Sequence, residues 1–185
     1  MILDEKSSKR RLCILGAVQN ALDEVEYHQL TIEDVAARAG VGKSTIYRWW
    51  GHKSELVLDA FKEHTRAIFN FDFDQNLEKI IFQHLSHLSL ALSHPIGRAA
   101  LVVIANHREL AAQFFKQYLL PRRVQMHELI AQAITRGELV PNENYDLILD
   151  QLYGSIHYQI IFFNNVPDEQ YIRQLIKVSL EPLRT

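Results

Sequence analysis

Apolar residues recur along most of the chain at intervals of three and four, the spacing that an amphipathic helix requires. Segments with this spacing cover about residues 8–25, 53–68, 77–92, 122–136 and 144–164. No stretch clearly alternates apolar and polar residues as a strand does, and 7 Gly and 5 Pro are few for a sandwich or barrel. The pattern predicts an all-α fold of nine or ten helices.

Two shorter helical patterns lie on either side of a glycine turn early in the chain. Thr31 occupies an N-cap position, and Gly40 ends the first short helix because the sharp turn that follows needs a positive φ. The second short helix covers about residues 43–50, and we expect it to bury Ile46 and Trp50. This order of elements is the layout of a DNA-binding helix-turn-helix.

The exposed side of the second short helix carries groups that suit DNA. Lysine and arginine attract phosphate and pair with guanine edges, while hydroxyl groups bond phosphate or base. These side chains lie mainly in the N-terminal half of the helix, the part that enters the major groove in this motif. They are Lys43, Ser44, Thr45, Tyr47, Arg48 and Trp49.

The letters GVGKST at residues 40–45 raise a second possibility, the phosphate-binding loop GxxxxGK[ST]. The position of the opening glycine holds Ala37, and the residues before it form an amphipathic helix where the loop requires a buried strand. Both observations disfavour nucleotide binding. The chain also shows no arrangement of a nucleophile with a base, so we predict neither an enzyme nor a cofactor.

The net charge of −2 does not predict a broad basic surface. Lys9, Arg10 and Arg11 nevertheless cluster at the start of the first helix, where the helix dipole does not favour cations. Two interpretations stay open for this cluster, a solvated helix tip and a contact with DNA phosphate. DNA binding should therefore depend on a few placed side chains.

The sequence also indicates a compartment. Cys13 is the only cysteine, which excludes a disulfide framework and a cysteine-based zinc site. The N-terminal residues contain acids and no apolar segment typical of a signal peptide. The longest aliphatic run, residues 99–105, is too short to span a bilayer. We predict a cytoplasmic protein with no membrane partner.

Residues 31–56, TIEDVAARAGVGKSTIYRWWGHKSEL, resemble the N-terminal signature of the TetR/AcrR family of bacterial transcriptional regulators. Nearly every fixed position of that signature matches, and Gly42 stands where the family usually has serine. The pair Trp49 and Trp50 resembles a subgroup with an I-Y-R-x-W recognition helix. Residues 97–139 resemble a C-terminal domain found with that subgroup.

The resemblance implies an N-terminal three-helix DNA-binding domain, residues 1–52, and a C-terminal helical domain, residues 53–185, for effector binding and dimerisation. It implies phosphate contacts by four side chains, those of Thr31, Thr45, Tyr47 and Lys53. It implies contacts to bases or adjacent backbone by four others, those of Lys43, Ser44, Arg48 and Trp49.

The helix predicted over residues 144–164 is apolar around almost its whole circumference, so it must be buried on two sides. A second subunit is the expected cover for one side, and Gly154 and Ser155 allow close helix approach. The resemblance implies a homodimer in which this helix and the helix at 122–136 form a four-helix interface. Two-fold symmetry then predicts a near-palindromic operator.

Polar and aromatic residues on otherwise apolar helix faces are the candidates for an effector pocket. They are His84, His87, Phe114, Tyr118, His157, Tyr158 and Phe162. The alternative for each is an ordinary core or surface position. His84 and His87 have the spacing of two metal ligands, but no third ligand accompanies them, so we predict no metal site.

These observations together predict a ligand-responsive DNA-binding transcriptional regulator. We expect a repressor that binds its operator as a dimer and is released by an unknown small molecule. The alternative is an all-α ligand-binding or scaffold protein without specific DNA binding.

Overall fold

A computed structural model describes residues 5–72, 74–141 and 144–183. Ten α-helices and no strand occur within these ranges, which confirms the predicted fold class. The helices are α1 Glu5–Leu22, α2 Ile32–Arg38, α3 Lys43–Tyr47, α4 Lys53–His64, α5 Leu77–Ser93, α6 Pro95–Asn106, α7 Arg108–Phe114, α8 Leu120–Thr135, α9 Tyr145–Phe162 and α10 Glu169–Leu180. Short 3-10 helices at Arg66–Phe69 and Glu181–Leu183 and a π-helical turn at Phe115–Leu119 complete the set.

The end of the second short helix differs from the sequence prediction. The second short helix was expected to reach Trp50, but α3 ends at Tyr47 and continues as a turn whose amides bond the Ile46 carbonyl. The helix α5 begins directly after Asn76, whose side-chain oxygen caps it by accepting from the Lys79 amide at 2.9 Å.

The chain forms two compact units. The first contains Met1–Thr65 and His94–Phe114, and therefore α1 to α4, α6 and α7. The second contains Arg66–Ser93 and Phe115–Thr185, and therefore α5 and α8 to α10. The functional division expected between residues 52 and 53 falls at the start of α4, inside the first unit, and stays a prediction.

The core of the first unit forms where α1 packs on α2, α4 and α6, and where α4 packs on α6. Apolar side chains at helical spacing fill it, since removing their surface from water is the main favourable term in folding. The fully buried members include Ile14, Val18, Val35, Ile46, Leu56, Val57, Ile96 and Val103.

The core of the second unit lies where α5 packs on α9 and α10. One face of α9 is buried through Leu149, Leu152 and Ile156. Its opposite face is apolar but exposed, with 67% of Leu147 and 72% of Phe162 accessible. The sequence predicted apolar residues all round this helix, and this chain alone covers only one side.

No single helix in the described part of the chain has the length and apolar content needed to cross a membrane. The helices α5 and α6 reach those values only when they are taken together.

Candidate nucleic-acid interface

The turn between α2 and α3 follows local rules that the sequence displays. Thr31 caps α2, and its hydroxyl oxygen accepts from the Asp34 amide at 3.2 Å. Gly40 adopts a φ of +63°, a conformation that other residues rarely take. The Val41 amide then donates to the Ala36 carbonyl at 3.0 Å and closes the turn. Both the predicted cap and the predicted glycine turn are confirmed.

The helix α3 is held from its buried side. Ile46 is fully buried, and Trp50 is 3% exposed. The Trp50 indole Nε1 donates to an Asp59 carboxylate oxygen at 2.8 Å, and Arg11 donates to the same oxygen. Burial alone would raise the pKa of Asp59, but these hydrogen bonds and Lys62 outweigh it and hold the pKa below its ordinary value. The Asp59 carboxylate therefore stays charged at neutral pH.

The other side of α3 faces solvent. It exposes Lys43, Ser44, Tyr47 and Arg48, and Thr45 is half-buried. The Lys43 ammonium lies 2.8 Å from a Glu33 carboxylate oxygen. Hydrogen bonding between them raises the pKa of Lys43 and lowers that of Glu33. Such an exposed pair is weak and can be exchanged for a phosphate.

The Trp49 side chain contacts both the buried Trp50 and the exposed Arg48. Its ring meets Trp50 edge-on, with 5.6 Å between centroids and an interplanar angle of 79°. The Arg48 guanidinium lies 5.4 Å from the Trp49 ring centroid, a cation–π distance. Trp49 therefore restricts Arg48, the arginine predicted to contact bases.

Lys53 lies at the first position of α4, and its ammonium is surrounded by backbone oxygens. Its Nζ donates to the carbonyls of Leu30 at 2.8 Å, Tyr27 at 3.0 Å and His28 at 3.5 Å. The same nitrogen lies 4.7 Å from the centroid of the Tyr27 ring, and burial lowers the pKa of Lys53. This geometry favours a clamp on the loop between α1 and α2, and the contact of Lys53 with DNA stays a prediction.

A second connection to that loop was missed by sequence reasoning. The Tyr27 hydroxyl lies 2.9 Å from the Ser54 hydroxyl, which lies 3.2 Å from the His107 Nε2. These residues come from the α1–α2 loop, the start of α4 and the end of α6. The sequence carries no signal for these hydrogen bonds, because only the structure shows that the Ser54 side chain is buried.

The second unit contains a buried imidazole among the predicted effector residues. His84 is 2% exposed, with Nδ1 3.4 Å from the Ile68 carbonyl and Nε2 3.1 Å from the Tyr153 hydroxyl. Burial lowers the pKa of His84 to about 4, so the ring is neutral at pH 7. His157 Nδ1 lies 2.7 Å from the Tyr153 carbonyl. Sequence reasoning missed Tyr153, which connects the two histidines.

The other predicted effector residues occupy separate surroundings. Tyr118 is buried in the π-helical turn, where the Arg122 guanidinium carbon lies 3.4 Å from its ring centroid. Tyr158 and Phe162 contact each other on the exposed face of α9. Phe114 belongs to the first unit. His87, on α5, is exposed.

A groove of 540 Å³ lies in the first unit between the α1–α2 loop and the start of α6. Its lining includes Val25, Tyr27, Arg98 and Val102, and none of the seven predicted effector residues.

Comparisons with known proteins assign the family. Residues 14–60 match the model of the bacterial regulatory proteins of the tetR family, and residues 76–178 match the tetracyclin repressor-like C-terminal domain. The HTH-type transcriptional regulator YdeS of Bacillus subtilis (strain 168) is 28% identical over 167 residues, covering 88% of this chain and 84% of that protein. An HTH-type transcriptional regulator of Mycobacterium tuberculosis (strain ATCC 25618 / H37Rv) is 29% identical over 184 residues, covering 96% and 89%.

Solved structures share the fold. The TetR family transcription regulator SCO0332 superposes with a TM-score of 0.75 at 23% identity, covering 96% of this chain and all of that one. The flavonoid-responsive regulator FrrA has a TM-score of 0.62 at 17% identity, covering 94% of each chain. The match to the C-terminal model alone spans more than half of the sequence. The chain therefore belongs to the TetR family of bacterial DNA-binding transcriptional regulators.

Proposed function

We propose that this regulator is a homodimeric repressor that binds a near-palindromic operator and leaves it when a small molecule binds. The observation that carries the proposal is that α3 has one buried apolar side and one exposed polar side. Ile46 and Trp50 fix the helix from inside the first unit, while the cations and hydroxyls on its other side face solvent. A polar helix face held this firmly suits insertion into a major groove.

The proposed contacts follow from the placement of each side chain. Thr31, Thr45 and Tyr47 bond phosphates through their hydroxyls; the Thr31 oxygen accepts from the Asp34 amide and keeps its own proton for donation. Contacts with bases or adjacent backbone come from Lys43, Ser44, Arg48 and Trp49. Lys53 supports this surface through the α1–α2 loop.

The dimer interface is proposed on the exposed face of α9. Leu147, Tyr158 and Ile161 lie on that face at helical spacing and are each more than half exposed. Gly154 lies between them, and a Cβ built on it would meet no atom within 4 Å. An exposed face that carries large apolar side chains on both sides of a glycine fits a second copy of the same helix at close approach.

An ion-pair cluster joins α9 to α8 and extends this interface. The Arg123 guanidinium donates to carboxylates of Asp146 and Asp150, each at 2.7 Å. It fixes α8 beside α9, so that Val124, half exposed on α8, can join the same surface. The four-helix interface would consist of residues 122–136 and 144–164 from each of the two protomers.

The effector is proposed to bind in the second unit around His84 and His157, the imidazoles that Tyr153 connects. We assign the chain to the I-Y-R-x-W subgroup on the letters IYRWW at residues 46–50. Because the proposed regulator acts on DNA, we also propose that it works in the cytoplasm. No catalytic role is proposed.

Gel-shift titrations with DNA fragments selected by the wild-type protein test these assignments. Tyr47→Phe removes one phosphate donor per protomer, so it should weaken binding to all fragments about equally. Arg48→Ala should reduce the preference for the selected fragments, by roughly 1–3 kcal/mol for a lost base contact. Lys177→Ala, which removes an exposed charge in the second unit, is the matched control. Unchanged binding by Tyr47→Phe and Arg48→Ala would favour a scaffold protein without specific DNA binding.

A further inference from the structure

We propose that Lys6 and Arg10, on the first turns of α1, form a second DNA contact that binds the sugar–phosphate backbone beside the segment read by α3. This inference rests on the DNA binding proposed for α3 and adds a surface that lies outside the helix-turn-helix.

The charge pattern at the start of α1 conflicts with helix electrostatics. Residues 5–11 contain one acid, Glu5, and four cations, Lys6, Lys9, Arg10 and Arg11. The positive end of a helix dipole disfavours cations in these turns. A local feature that opposes its own element is expected where a function requires it.

Two of the four cations are engaged within the protein. Arg11 donates to Asp59, and its guanidinium carbon lies 5.7 Å from the centroid of the Trp50 ring. Lys9 pairs with Glu5 at 2.7 Å. Lys6 and Arg10 are exposed, and neither has an ion pair with another described residue. These two charges are available to a polyanion.

The orientation of α1 aims these charges toward the DNA-binding surface. Lys6, Arg10 and Cys13 are four and three residues apart and share one helix face. The Cys13 thiol lies 3.8 Å from the Ala39 carbonyl, at the end of α2 and directly before the turn into α3. Along the helix axis, Arg10 lies about 4.5 Å and Lys6 about 10 Å beyond Cys13. Their face therefore continues from the helix-turn-helix turn.

The Arg11–Asp59–Trp50 group fixes this geometry. The same carboxylate receives hydrogen bonds from α1 and from the residue that anchors α3. The two surfaces are therefore held in one rigid arrangement, and DNA that contacts α3 meets Lys6 and Arg10 without rearrangement of the first unit. Double-stranded DNA is the occupant that matches two exposed cations adjoining a DNA-reading helix.

The test compares Lys6→Gln/Arg10→Gln with the control Lys79→Gln/Lys177→Gln, which neutralises two exposed lysines of the second unit. Binding of the full-length protein to selected operator DNA is measured by fluorescence anisotropy between 50 and 200 mM salt. Each lost phosphate contact lowers the slope of log K against log salt by about 0.9, so a dimer losing four should lose about 3.6. The wild-type advantage should then shrink about 150-fold over that range.

Two further readouts distinguish the α1 contact from the DNA binding proposed for α3. Shortening the DNA to the segment read by α3 should abolish the difference between the variant and the wild type, because the flanking phosphates are then absent. The preferred operator sequence should stay the same. A slope equal to that of the control, with operator binding intact, would overturn the α1 contact alone. Failure of the wild-type protein to bind any selected DNA would overturn the DNA-binding proposal as well.

Discussion

Replacing Lys53 by methionine distinguishes its two possible roles, a clamp on the α1–α2 loop and a contact with DNA phosphate. Lys53→Met keeps most of the apolar stem and removes the ammonium that donates to Tyr27, His28 and Leu30. Two of these bonds are short, and the carbonyls belong to a partly buried loop. A hydrogen bond from a charged group contributes about 1.5–3 kcal/mol, and water can replace part of it here, so the expected loss of unfolding free energy is about 2 kcal/mol.

Urea denaturation followed by circular dichroism measures this loss. Lys43→Met is the matched control, because it removes an ammonium from an exposed pair and should change the unfolding free energy far less than Lys53→Met does. In DNA binding the order should reverse. Lys43→Met should lower the salt dependence, whereas Lys53→Met should change affinity mainly through the stability of the first unit. A Lys53→Met variant with wild-type stability and a salt slope lowered by about 0.9 would refute the clamp and establish a phosphate contact.

Three further predictions follow from buried, exposed and strained positions. The folded-state pKa of His84 is about 4, below the unfolded value of 6.5, so its contribution to stability is lost as pH falls below 6.5. Between pH 7 and pH 5 this loss is about 2 kcal/mol, and His84→Gln should remove that part of the pH dependence in urea titrations at both values. Gly154→Leu and Leu147→Glu should each raise the monomer fraction in sedimentation experiments, and a dimer unchanged by both would place the interface elsewhere. Gly40→Ala should destabilise by about 1 kcal/mol because φ is +63°, whereas Gly16→Ala, in the middle of α1, should stabilise by about 0.5–1 kcal/mol. Equal thermal midpoints for those two variants would contradict the turn analysis.

Local rules explain the parts of the fold that the sequence predicts well. The threonine cap at Thr31 and the glycine turn at Gly40 depend on residues within three or four positions of each other, so a single sequence displays them. The long helices follow from their apolar spacing for the same reason. Helix ends are less local. Trp50 satisfies the helical pattern of α3, but its indole bonds Asp59 from a turn beyond the helix.

The contacts that build the candidate site depend on distant residues. Arg11 and Asp59 are 48 positions apart, and Ser54 and His107 are 53 apart. No periodic pattern predicts such pairs, because only the packing of whole helices brings them together. For Lys53 the partners are backbone carbonyls, which every residue carries, so no side-chain type identified them. The resemblance thus suggested a phosphate contact where the geometry favours a clamp.

For α9, the sequence could not predict which face is buried, and the reason is different. A helix that is apolar on all sides has no periodic signal to show which face the chain itself covers. The structure supplies that information, because Leu149 is buried while Leu147 is exposed. The exposed face then becomes the best surface for a second copy, an inference that composition alone could not direct to particular side chains.

A selection from genomic fragments, followed by anisotropy titration, measures directly whether the protein binds DNA in a sequence-specific way. We expect enrichment of a near-palindromic sequence, bound at physiological salt at least about a thousandfold more tightly than scrambled DNA. The Arg48→Ala variant should lose roughly 5- to 150-fold of that preference, the equivalent of 1–3 kcal/mol for a base contact. Equal affinity of the wild-type protein for enriched and scrambled DNA would mean that the protein is not a sequence-specific regulator.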